Sequence, residues 1–397
     1  MDQTLLAKLD LTVRYHTSIG QHYMAAYLQN QYNLLKNITE KQKQYIAATY
    51  YIPGELLACF DAEAVFLERF AGLAAAWRLL DHPVARADAT CFPADGCSYQ
   101  ALFHLLLTEK IIPKPEAFAA MNFSCRNAWR YCKSETQRHY LPFFHVDVPR
   151  ILSQRQIHIL ADELQTLYNR LCKMFPVKAE IQDVVQASNE ALAVQQKINA
   201  FRRAHPEKCS TIDFLKLFPL YNDLGKPDTP DILQGFLKRL TETDAPDTGN
   251  IPRVLWLGIV PLYRNSLLTQ IEKQGNCRIV WEEMFDFGNI KLSCDSFFTD
   301  LAKRILTSRF FTQENRLTDI LQSVKDFGAQ GIIHFSQRNC RFLPSAVPLI
   351  RQKAQELQIP FLELRGDAVD PGYFDEQAAA MQLEQFYEQL HRSASCI

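Results

Sequence analysis

The sequence predicts an α/β fold with parallel sheets, extended by one helical region at the N-terminus and another in the middle of the chain. Three observations predict it. Short apolar runs of strand length alternate with segments of helical periodicity from Val65 to His145 and again after Arg253, and strands separated by helices pair in parallel. At 397 residues the chain is large for one hydrophobic core and calls for two or three domains. Its 47% hydrophobic and 22% charged residues are those of an ordinary globular protein.

Taken in order, residues 1–48 read as N-terminal helices. Leu5, Leu6, Leu9 and Leu11 begin one apolar face, and Tyr23 to Leu35 continues at helical spacing. Residues 49–152 read as a first α/β domain. Within it, Pro53 leads a short helix, Gly54 to Ala58, with the acidic Glu55 in its first turn. Ala89 to Gly96 reads as a strand before Cys97, with a helix starting at Ser98. Phe118 to Ser124 reads as a strand before Cys125, and the strand from Phe143 is stopped by Pro149. Residues 153–245, rich in Gln and Leu, read as a helical connector or lid. Asp244 to Asn250, DAPDTGN, is the clearest linker. Residues 251–397 read as a second α/β domain. Its strands are Arg253 to Val260, Cys277 to Glu282, Gly331 to Phe335 with an apolar run on to Asn339, and Ile359 to Leu364. Its helices include Phe297 to Arg309 and Phe374 to Leu390.

Charge and motif content exclude several classes. The 43 basic and 44 acidic residues nearly cancel, and without an Arg/Lys stripe no nucleic-acid partner is expected. No stretch approaches the roughly 20 apolar residues that span a bilayer, so no membrane association is expected. The polar opening MDQTLLAKLDLTVRYH is unlike a secretory signal, and Cys396-Ile397 does not fit a prenylation site. A cytoplasmic location with reduced thiols is the expectation. H-E-x-x-H, Walker and G-x-S-x-G motifs are absent. Gly258 after its strand is weak evidence for a nucleotide, and His145 and His334 sit in apolar strands as core histidines.

Chemistry is carried by the cysteines. Cys97, Cys125 and Cys340 each stand where an apolar run gives way to a polar turn or a new helix, and open parallel sheets place ligands beyond such strand ends. Three thiolates suit a four-iron cluster with one iron left free, because full protein ligation uses four cysteines. Helix N-termini favour thiolates, and Arg126, Arg338 and Arg341 make the surroundings electropositive. The competing reading is core packing, which suits most of the 11 cysteines, Cys59, Cys172 and Cys277 among them, and the chain has no compact C-x-x-C pair. Cys91, Cys132 and Cys294 raise the count to six thiols, enough for two clusters, although Cys132 shares a helical face with Cys125 and packs. Glu55 is a candidate active-site base or substrate-positioning acid; its alternative is a favourable helix-dipole interaction.

Tyr51-Ile52-Pro53-Gly54-Glu55-Leu56-Leu57, Cys97 with its following helix, the strand ending at Cys125 and the His145–Pro149 strand form an ordered series. Val254 to Gly258, Gly331 to Cys340 and Ile359 to Leu364 with Asp367 complete it. In that order and spacing the chain resembles a subunit of the iron-sulfur-dependent 2-hydroxyacyl-CoA dehydratase and benzoyl-CoA reductase family, over roughly residues 50–150 and 250–390. The resemblance implies two flavodoxin-like α/β domains with a [4Fe-4S] cluster between them on Cys97, Cys125 and Cys340. It also implies an acyl-CoA substrate activated as a ketyl radical, oxygen sensitivity, a related subunit as heterodimer or a second copy as homodimer, and an ATP-dependent iron-sulfur activator. The chain departs from the pattern at Arg126, where Asp is usual, around Phe60-Asp61-Ala62, where glycine is expected, and modestly at Arg365-Gly366-Asp367. Three other readings stay open: a reductase with a double-cubane [8Fe-9S] cluster, a non-catalytic accessory subunit beside a cluster-bearing relative, and an α/β protein whose cysteines only pack.

Overall fold

The computed structural model describes residues 3–90, 92–93, 95–209, 211–244, 251–273 and 277–394. Two four-stranded parallel sheets organise it, each of flavodoxin-like order. The first contains β1 (Tyr45–Ala48), β2 (Glu63–Phe66), β3 (Ala117–Met121) and β4 (Phe143–Val146), ordered β2-β1-β3-β4. The second contains β5 (Arg253–Gly258), β6 (Arg278–Glu282), β7 (Gly331–Gln337) and β8 (Phe361–Gly366), ordered β6-β5-β7-β8. The two orders are equivalent, so β3 and β7 occupy the same place in their sheets. In the first sheet Ala47 lies opposite Phe118, and in the second Leu255 lies opposite Ile332.

These segments become strands because they are apolar on both faces. β1, β3 and β7 are buried along their whole length, as befits central parallel strands covered by helices on each side. β1 lies in the stretch whose periodicity reads as helical; at four residues it is too short for period to distinguish it from the preceding helix, which ends at Thr39. The described residues between Ala89 and Gly96 form no strand. The helix Pro83–Asp88 ends there, the Thr90 hydroxyl donates to Ala87 O at 2.7 Å, and Gly96 N–H closes a turn on Pro93 O at 2.8 Å. Proline cannot donate to a sheet ladder, and this turn uses local partners instead. His145 is exposed on the edge strand β4, stacked on Phe143, whereas His334 is fully buried.

The central helices bind the two halves together. Gln154–Leu171 packs against Phe297–Leu306 of the second half, and Ile181–Ala204 packs against Thr229–Glu242, which also covers the N-terminal helix His22–Thr39. One apolar core runs through both halves, and a smaller one lies under the outer face of the second sheet. Buried ion pairs cross the joints. Arg304 holds Glu55, and the guanidinium of Arg202 on a central helix forks onto the Glu282 carboxylate of β6, one arm at 2.9 Å. The expected linker lies outside the described residues from 245 to 250. No described helix is long and apolar enough to cross a membrane.

Candidate functional site

Cys125 and Cys340 are built by the same local device. Each follows a central strand, β3 or β7, and each is preceded by a residue in the left-handed region, Ser124 at φ 56° and Asn339 at φ 56°. That reversal swings the next residue away from the sheet and starts a helical turn. Ala128 N–H then points at Cys125 Sγ at 3.4 Å, and Leu343 N–H at Cys340 Sγ at 3.4 Å. Cys125 is the N-cap of the helix Arg126–His139, and Cys340 stands three residues ahead of the 3-10 turn Leu343–Ala346, whose first N–H faces its sulfur; a thiolate gains from such N–H groups. Cys97 caps the helix Ser98–Thr108.

The three thiols, Cys340 more than 200 residues along the chain from the other two, line one cavity of about 390 Å³ between the two halves. Cys97 is brought to Cys340 by a polar seam across the joint. Gln337 Nε2 donates to Ser98 Oγ at 3.0 Å, Asn339 Nδ2 donates to Gly96 O at 3.0 Å, and Arg341 pairs with Asp95 at 2.8 Å. The same Gln337 accepts from Ala368 N–H at 2.7 Å, which ties the seam to the end of β8. Burial pushes all three thiols above the ordinary cysteine range, Cys125 to about 12. For Cys97 the neighbouring Cys125 and Cys340 add to the effect of burial. As free thiols they therefore stay protonated near neutrality, and a bound cation would be what draws the protons off.

A single ion does not fit this arrangement: among the described residues no group of three or more His, Cys, Asp or Glu side chains could hold a metal ion. A polynuclear cluster asks for something different, since each thiolate binds its own iron and the sulfurs stand apart around a central volume. Three cysteines around a cavity meet that requirement. Cys132 is fully buried in the core, Cys294 is exposed, and neither is on the cavity wall; Cys91 lies outside the described residues.

Glu55 is placed elsewhere. Its Oε1 accepts from Ser188 Oγ at 2.7 Å and from Arg304 in a fully buried pair, away from the cavity wall. Arg126 opens its helix as an exposed side chain. Phe60 is completely buried, whereas the exposed Asp61 pairs with Lys43 at 2.6 Å, so the position around the expected glycine is shared between the core and a surface ion pair. Asp367 is buried and accepts from the N–H groups of Val369 and Asp370 at 2.9 and 3.0 Å.

The acid that does reach the cavity is Glu68. It sits in the first helical turn after β2, at a strand end where α/β sheets place their sites, and that position was its only sequence signal. Tyr50 N–H donates to it at 2.9 Å, yet burial pushes its carboxyl up to about 7. Tyr51, Tyr99 and Gln100 accompany it on the wall.

Over residues 49–390 the chain matches the family described as 2-hydroxyglutaryl-CoA dehydratase, D-component. It belongs to that family. The match takes in every strand except β1, which ends at Ala48, and all three cavity cysteines of this D-component family member. No curated protein matches the chain.

Proposed function

We propose that this D-component family member is a subunit of an acyl-CoA dehydratase or reductase, with Cys97, Cys125 and Cys340 as the ligands of one [4Fe-4S] cluster. The observation that carries the reading is the meeting of three cysteines from three separate loops on one cavity between the halves. When bound, such a cluster supplies one-electron chemistry and an open iron for a thioester oxygen. The protein's own residues do the rest. The seam from Gln337 and Asn339 to Ser98 and Gly96 fixes the spacing of two ligand loops. Helical N–H groups face the sulfurs of Cys125 and Cys340, offsetting negative charge. Glu68, with a carboxyl near neutrality, holds or releases a proton on the cavity wall. A related subunit and an ATP-dependent iron-sulfur activator are the partners this chemistry requires.

A second reading is a non-catalytic accessory subunit that pairs with a cluster-bearing relative. It is favoured by Arg126, where the family resemblance leads one to expect Asp. Iron and acid-labile sulfide per chain, measured after anaerobic purification of the native chain and of Cys97→Ala, Cys125→Ala and Cys340→Ala, decide between them. About four of each, lost in every variant, are expected for a single cluster, and about eight would indicate a double cubane. No iron after anaerobic reconstitution would leave the accessory reading.

A further inference from the structure

A second pocket, of about 780 Å³, opens at the carboxyl ends of β7 and β8, the end at which parallel α/β sheets place ligands. It shares only Gln337 and Cys340 with the cavity described above, and neither Cys97 nor Cys125 is on its wall. Its charge is lopsided: Arg338, Arg351 and Arg365 face one acid, Glu363. That carboxylate accepts from Arg351 at 2.9 Å and from Arg365 at 3.1 Å. It is also held from inside. Ser336 Oγ donates to it at 2.9 Å and lies 3.0 Å from His334 Nδ1, while Arg316 reaches His334 Nε2 at 3.1 Å. Burial pushes the pKa of His334 down to about 4, so the ring is neutral. Arginine only donates; Nε2 therefore accepts, Nδ1 carries the hydrogen, and the Ser336 hydroxyl is turned onto Glu363. Glu363 is a fixed post that orients two guanidinium groups, each with N–H donors to spare. Arg338 has no such partner on the wall. Its backbone N–H donates to Gly366 O at 2.7 Å, and its guanidinium lies 4.1 Å from the centre of the Tyr373 ring. Its Nη1 is buried without a hydrogen-bond partner among the described residues. Pro344, Val347 and Pro348 complete the wall with apolar surface.

We propose that this pocket binds a free nucleoside diphosphate, its phosphates on the three arginines and its base against Pro344, Val347 and Pro348. Guanidinium groups match phosphate oxygens in pairs, and three of them against one carboxylate leave two positive charges for a diphosphate to meet. A pocket of this size, part apolar and part charged, suits an aromatic base that carries phosphates, whereas inorganic phosphate would leave the apolar side uncovered. The site is separate from that of a thioester. A thioester bound in the cavity keeps its own nucleotide away from the acyl carbon by the length of the pantetheine arm, whereas this pocket abuts Cys340 itself.

The test is calorimetric titration of the full chain, purified anaerobically and freed of nucleotide, with ADP, adenosine and CoA as probes. ADP is expected to bind at least about tenfold tighter than adenosine, the effect of one charge-assisted contact, and to keep its affinity on protein saturated with CoA. Arg338→Gln and Arg351→Gln, on separate elements, should each weaken ADP by about tenfold while adenosine is unaffected. Circular dichroism checks that each variant folds, and either one carries the test if the other does not. No binding of ADP, equal affinity for ADP and adenosine, or an ADP affinity unchanged in a folded variant overturns the inference. Displacement of ADP by CoA overturns it as well, because the pocket would then belong to the nucleotide end of the thioester.

Discussion

Replacing Arg316 with methionine should unfold the support beneath Cys340. The Arg316 guanidinium is completely buried and forks onto Glu283, which is also completely buried, through bonds of 2.9 and 2.7 Å. It also donates to Leu343 O at 2.5 Å, and Leu343 N–H is the group that faces Cys340 Sγ at 3.4 Å. The Glu283 carboxylate is held below the usual carboxylate range by Arg316, against the pull of burial. Without the arginine its remaining partner is Gly258 N–H at 2.5 Å. Breaking one side of a buried pair costs about 3–5 kcal/mol, mostly the burden of the charge left behind. An unfolding entropy of about 2.1 cal/mol/K per residue over a chain of this length turns that into a Tm loss of about 4–6 °C if the chain melts as one unit. The assay is a thermal melt followed by circular dichroism at pH 7, on the native chain, Arg316→Met, and the pair Arg316→Met with Glu283→Gln. Neutralising the stranded acid should restore at least half of the loss. A single variant within 1 °C of native, or a pair no better than the single, would refute the reasoning.

Other outcomes follow from the same structure. His334, packed beside Arg316 with its pKa pushed down to about 4 by burial, is neutral when folded. The unfolded chain takes its proton first, so stability should be intact above about pH 6.5 and decline as pH falls from there toward 4, by up to roughly 3 kcal/mol. Urea midpoints between those pH values check this, and His334→Gln should flatten the slope. Glu55→Gln should lower Tm by several degrees, because Arg304 is then buried without its counter-charge, and Arg304→Met with Glu55→Gln should recover much of it; an unchanged Tm would remove the structural role. Gly258 sits at φ 83°, and a Cβ there would clash with the Phe335 carbonyl oxygen, so Gly258→Ala should cost about 2 kcal/mol or more in chemical denaturation.

By itself the sequence determined the α/β class, both helical additions and six of the eight strands, because each apolar run long enough to be buried by helices on both faces announces itself. It missed β1 and β2, each four residues long and too close to a helix for periodicity to separate them, and it made a strand of Ala89 to Gly96, where Pro93 and a local turn prevail. The three cysteines were legible as strand-end or helix-start residues, since Cys125 and Cys340 stand at equivalent places in two like-ordered sheets. Only the tertiary structure decided that they share a cavity, because the bonds that bring Cys97 to Cys340 join residues more than 230 positions apart. It also decided the acids. Glu55 and Glu68 both open helices, and nothing local distinguishes them; Arg304, 249 residues away, neutralises the first in the core, while the fold leaves the second on the cavity wall without a cation. Burial and charge pairing at that range are properties of the packed chain, and local sequence does not encode them.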